Sequence, residues 1–139
     1  MIQFCDVRVE HVALIWPSAR PHIVRALGED TVEHYRPQDI LALLLQAKAR
    51  LWVAWDAERR AVIGAVVTEI IEFPNGLREL RAWLVGGRNM KQWFKPGMEM
   101  LEDFARAQGC SYVTGGFRKG WLRIDRGMKQ TGITLSKAL

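Results

Sequence analysis

Leu80-Arg81-Ala82-Trp83-Leu84-Val85 reads as an apolar strand, and the residues after it, Gly86-Gly87-Arg88-Asn89-Met90-Lys91-Gln92-Trp93-Phe94-Lys95-Pro96-Gly97, read as a loop rich in Gly and basic residues. That loop opens a helix expected from about Trp93 to Gln108-Gly109, burying Met98, Leu101 and Ala105, with Gly109 suited to a left-handed cap. A strand feeding a basic loop that starts a helix is a common way to build an anion site. Loop amides and the positive end of the helix dipole both point at the ligand.

Upstream, Pro74-Asn75-Gly76 is a hairpin signal, because Asn-Gly accepts the positive φ of a tight turn. It joins a Val- and Ile-dense strand, Ala61 to Phe73, to an antiparallel partner, Arg78 to Val85. A shorter strand, Leu51 to Trp55, precedes them, closed by the polar turn Asp56 to Arg60. Ile2, Phe4, Val7 and Val9 suit a first strand. His11 to Leu27 has a helical pattern interrupted by Pro17 and Pro21, which predicts two short helices or a broken one. Pro37 fits a first helical turn ahead of Ile40, Leu43, Leu44 and Ala47, giving a helix to about Ala49. Downstream, Ser111 to Phe117 reads as a strand, Gly120 to Gln130 as a short helix and Ile133 to Leu139 as a closing strand. The order β-α-α-β-β-β-α-β-α-β has antiparallel strands first and one strand–helix–strand crossover that must be parallel. The expected class is α/β: a mixed, mostly antiparallel sheet flanked by helices.

Composition sets outer bounds. At 139 residues the chain is expected to be one domain. The longest apolar run, Ile40 to Leu45, is too short to span a bilayer, and Met1 to Asp6 has no secretion pattern. Cys5 and Cys110 are the only cysteines, read as free thiols of a reducing cytosol, so the expected location is cytoplasmic. The net charge of +5 calls for an acidic partner such as a nucleic acid, a phosphorylated cofactor or an acidic protein. No run of five or six like charges marks a disordered basic arm, and a mild basic excess also serves solubility alone.

The element order, with a cofactor-like loop after the fourth strand, resembles the GNAT (N-acetyltransferase) superfamily over nearly the whole chain. Val62-Ile63-Gly64-Ala65-Val66-Val67 looks like the family's third strand. The family's Gln/Arg-x-x-Gly-x-Gly/Ala loop, whose amides hold the pyrophosphate of acetyl-CoA, is matched by Gln92-Trp93-Phe94-Lys95-Pro96-Gly97 at its first and last positions. Lys95 replaces the central Gly and Pro96 offers no amide hydrogen. Gly132-Ile133 stands for a terminal Gly-Phe, which puts Met128 where the family has a Tyr that protonates the leaving thiolate.

The resemblance implies an acyl-CoA N-acyltransferase fold and transfer of an acetyl group from acetyl-CoA to an amine, with Val85, Gln92, Trp93, Lys95 and Gly97 at the cofactor and no metal. It implies weak or lost activity where Lys95, Pro96 and Met128 depart from the pattern. The chain also looks like GNAT-like proteins of tailed bacteriophages and prophages. That alternative is a non-catalytic virion or accessory module binding protein or nucleic acid.

Acetyl transfer to an amine needs a group to take the ammonium proton. Glu69, Glu72 and Glu79 are the carboxylates on the two central strands, and Glu79, early on strand four, is the candidate base. Its competing role is an exposed charge paired with Arg81 or across the hairpin. Simple alternation places Leu80, Ala82 and Leu84 on one face and Glu79, Arg81, Trp83 and Val85 on the other. His11, His22 and His34 lack metal-ligand spacing and read as surface or capping residues, and Cys110 as a buried structural thiol. Trp93 either stacks on a base or packs its helix onto the sheet.

Overall fold

Gly76 N–H donates to the Phe73 carbonyl (2.9 Å) and Phe73 N–H to the Leu77 carbonyl (2.8 Å), which closes the expected hairpin. Only Gly76 in this turn takes a positive φ (88°), while Asn75 accepts from Leu77 N–H through its side chain at 3.1 Å. The computed structural model describes residues 1–31, 34–116, 127–132 and 137. Its elements are β1 (Ile2–Val7), α1 (Val9–Thr31), α2 (Pro37–Leu45), β2 (Arg50–Asp56), β3 (Ala61–Glu72), β4 (Arg78–Gly87), α3 (Met90–Ala107) and β5 (Tyr112–Gly115). The five strands lie in chain order, β1-β2-β3-β4-β5. The first three pairings are antiparallel, and β4 pairs β5 in parallel through the α3 crossover. This is the α/β architecture expected. The predicted helix Gly120–Gln130 and strand Ile133–Leu139 fall largely outside the described residues, and residues 127–130 are not helical.

Each sheet face has its own core. Val12, Trp16, Ala19, Ile23 and Leu27 form the buried stripe of α1 and pack with Ile40 and Leu44 of α2 on Leu51, Val53, Ala65, Val67 and Leu84. On the opposite face, Trp93, Leu101 and Ala105 of α3 pack on Phe4, Trp52, Ala54, Ile63, Val66, Leu80 and Ala82. Phe4 stacks between Trp52 and Trp93, with ring centroids at 5.7 and 6.0 Å.

Pro17 and Pro21 do not break α1; both lie on its exposed side, where water can reach the carbonyls they leave unbonded. The helix departs from helical geometry at Gly28 instead, at φ 63°. The second helix ends at Leu45, short of Ala49, because Ala47 takes φ 58° and the Lys48 and Ala49 N–H groups turn back to the Leu43 carbonyl.

Two corrections bear on function. The third helix starts at Met90, so Gln92 to Gly97 are helical residues and not a loop. Simple alternation also fails along β4. The β3 register jumps from Val67↔Leu84 to Thr68↔Ala82, which leaves Trp83 as an extra residue. A bulge puts two consecutive side chains on one face. Trp83 and Leu84 therefore join the α1 side, while Leu80, Ala82 and Val85 belong to the α3 side.

Candidate active site

Three close approaches build the end of the sheet where β4 meets α3. A Cβ on Gly86 would run into the His22 carbonyl oxygen of α1, so the helix backbone rests directly on the strand. A Cβ on Gly64 would come within 2.5 Å of the Trp93 ring on the other face. Gly87, at φ 145°, lies against the Gly64 backbone. The Arg88 N–H donates to the Ile63 carbonyl (2.7 Å), and the Trp93 indole N–H to the Arg88 carbonyl (2.9 Å). His22 is buried, contrary to its surface reading, with Nε2 2.8 Å from the Val62 carbonyl.

Beyond this seam α3 begins with Asn89 in the left-handed region (φ 54°). The Gln92 N–H is already bonded to the Asn89 carbonyl (2.9 Å), and the first-turn amides of Met90 and Lys91 have no intrahelical acceptor. The first turn has no acidic residue, while Arg88, Lys91, Gln92 and Lys95 are exposed around it. Cations near the positive end of a helix dipole are the unfavourable sign, and an anion there relieves them. Of the residues expected at a cofactor, Gln92 and Lys95 are thus on the surface of α3 and Val85 is half-buried in β4. Trp93 and Gly97 are buried, Gly97 against the Phe4 ring.

The parallel pairing runs from Glu79↔Tyr112 to Arg81↔Thr114 and ends at Ala82↔Gly115. From Trp83 to Gly87, β4 has no β5 partner among the described residues. Within this paired stretch, Glu79 and Arg81 share the α1 side of the sheet. Thr114 Oγ1 donates to Glu79 Oε2. Arg81 lies 3.6 Å from the same oxygen through Nε and 3.9 Å from Glu69 Oε1 through Nη1. The Glu79 side chain is 12% exposed, that of Glu69 29% and that of Arg81 43%. The carboxylate anticipated as a base is therefore part of an ion-pair chain, largely covered and oriented by a hydroxyl. On the same face, Tyr35 from the α1–α2 connection meets the bulged Trp83 edge-on at 4.6 Å. Thr114 and Tyr35 had no local signal in the sequence. Only the strand register brings Thr114 beside Glu79.

Other features lie away from this point. Met128 lines a cleft of about 270 Å³ with Met98, Cys110 and Val113, on the α3 side of the sheet, opposite the face that Glu79 occupies. A cleft of about 360 Å³ near Lys48 and Arg50 includes Glu69 on its wall but neither Glu79 nor Arg81. Burial raises the Cys5 thiol above its ordinary pKa, on the far edge strand. Among the described residues no group of three His, Cys, Asp or Glu could hold a metal, and no helix is long and apolar enough to cross a membrane.

A five-stranded mixed sheet with a bulged fourth strand, and a helical crossover to a parallel fifth strand, match the acyl-CoA N-acyltransferase (GNAT) fold. The solved structures this chain resembles have that fold. An aminoglycoside acetyltransferase from an uncultured soil metagenomic sample aligns with TM-score 0.71 at 12% identity, over 100% of this chain and 97% of the other. A ribosomal-protein-alanine N-acetyltransferase from Brucella melitensis biovar Abortus 2308 aligns with TM-score 0.67 at 16% identity, over 100% and 99%. Glucosamine-6-phosphate N-acetyltransferase from Arabidopsis thaliana aligns with TM-score 0.65 at 14% identity, over 99% and 98%. No family model matches the sequence, and no curated protein matches it.

Proposed function

We propose that this chain is an N-acyltransferase that moves an acetyl group from acetyl-CoA to an amine. The observation behind this reading is the Glu79 carboxylate, oriented by Thr114 early on β4, with an exposed basic helix start beyond the C-terminal end of the same strand. When bound, acetyl-CoA supplies the thioester acyl group. The main chain of β4 around Val85 would receive amide groups of its arm. The Met90 and Lys91 amides, with Arg88, Lys91, Gln92 and Lys95, would hold its phosphates. Trp93 and Gly97 set how α3 sits on the sheet and act on the ligand through that placement.

An amine is protonated near neutral pH and must lose a proton before it can attack. Glu79 takes that proton. Thr114 fixes which carboxylate oxygen is turned away from the acceptor, and Arg81 limits how far Glu79 can swing.

Calorimetric titration with acetyl-CoA tests the reading. Saturable binding weakened about tenfold or more by Lys91→Glu, with thiol release on addition of amines that falls about 10²- to 10⁴-fold in Glu79→Gln, is the expected result. Absence of binding at millimolar acetyl-CoA overturns it.

A further inference from the structure

Arg81 is the most exposed member of the ion-pair chain, and its separations from Glu79 and Glu69, 3.6 and 3.9 Å, are both longer than a hydrogen bond. It is ion-paired with both carboxylates but hydrogen-bonded to neither, so its donors are open to a further acceptor. Glu79, by contrast, is nearly covered and accepts a hydrogen bond from Thr114. A molecule arriving from solvent therefore meets the guanidinium first and the carboxylate behind it.

An ammonium seated on Glu79 would lie a few ångströms from a fixed positive charge. For a simple amine that contact is repulsive and undoes part of the attraction to Glu79. An amine that brings its own acid group converts the clash into a second pairing: ammonium on Glu79, anion in the fork of Arg81. The spacing of the two protein groups matches an acid group only a few bonds from the nitrogen. The edge-on pair of Tyr35 and Trp83, on the same face and farther along β4, offers an apolar wall for the rest of such a molecule.

We infer that Arg81 is a specificity-determining residue and that the acceptor is an amine bearing a carboxylate or phosphate close to its nitrogen. This rests on the acetyl-transfer reading above. Arg81 touches the acceptor's acid group and not the reacting atoms.

The test uses matched acceptor pairs with the full chain and acetyl-CoA: an α-amino acid against its amide, and a hexosamine phosphate against the same hexosamine. The wild type is expected to prefer the acid-bearing member of one pair by about 10- to 100-fold in kcat/KM, mainly through KM. Which pair shows the preference tells carboxylate from phosphate. R81Q should bring the ratio near one and R81K should restore part of it, because charge returns without the fork. A purely structural Arg81 would lower both members of a pair together and leave the ratio unchanged, which overturns the inference. Equal use of both members by the wild type also overturns it.

Acceptor binding without acetyl-CoA, read as thermal protection by the same four compounds, separates this inference from the reading it rests on. If acetyl-CoA binds but neither acid-bearing amine protects the wild type, the inference alone fails. If acetyl-CoA does not bind, the acetyl-transfer reading fails. Protection of the wild type but not of R81Q by an acid-bearing amine would still support the recognition role.

Discussion

At the scale of single residues, the glycines at the end of β4 are contact points rather than hinges. Gly86 shows this most plainly, because its φ is ordinary and the objection to a side chain is the close approach of α1, above all its His22 carbonyl. A backbone atom cannot rotate out of the way as a side-chain tip can. Gly86→Ala is therefore expected to push α1 off the sheet and to destabilise the fold by about 1–3 kcal/mol, the usual range for overpacking. Chemical denaturation of the mutant checks this, and a midpoint equal to the wild type's would mean that α1 can shift at little cost. The same substitution at Gly28 meets no atom, so its effect would come only from the positive φ there.

At the scale of elements, α3 changes what Pro96 means. Inside a helix from Met90 to Ala107, Pro96 cannot donate to the Gln92 carbonyl one turn back. Pro96→Ala restores that bond and should stabilise the protein by about 1–2 kcal/mol. That is below the ~3 kcal/mol cost of an interior Pro, because Pro also restricts the unfolded chain. Thermal or denaturant unfolding reads the gain. Pro96→Gly, in turn, should not tighten acetyl-CoA binding, since the new N–H goes to the helix and not to a phosphate; calorimetry of the mutant tests that. The hairpin at Pro74–Gly76 was legible because its chemistry is local to the turn. The start of α3 was not, since Gly86, Gly87 and Pro96 all read as loop residues, while what holds Trp93 in the helix is a cross-sheet contact with Gly64 and a bond to Arg88. The bulge at Trp83 was hidden for a similar reason. Nothing in Ala82-Trp83-Leu84 marks one residue as extra, and only pairing with β3 reveals it. Glu79 was readable as a carboxylate on strand four, but its neighbours Glu69 and Thr114 reach it through register.

At the scale of the whole molecule, two cores share one sheet, and the α3 side is dominated by rings. Phe4 is stacked on both Trp52 and Trp93 and lies under Gly97, so its removal leaves a ring-sized space in the core. Phe4→Ala is expected to cost about 3–5 kcal/mol, read by denaturation followed through Trp fluorescence. A loss below 1 kcal/mol would show that the rings re-stack. The order of the strands has a consequence during synthesis. Each strand has its sequence neighbour as its sheet neighbour, so a chain leaving the ribosome can pair β1 with β2 and then β3 as each appears, with α1 and α2 already available to cover one side. The other side, with Phe4, Trp52, Ala54, Ile63 and Val66, stays bare until α3 has been made, some forty residues after Val66. For that interval the nascent chain presents a partly aromatic sheet face to its surroundings, and the pace of translation from the hairpin through α3 sets how long that face stays uncovered.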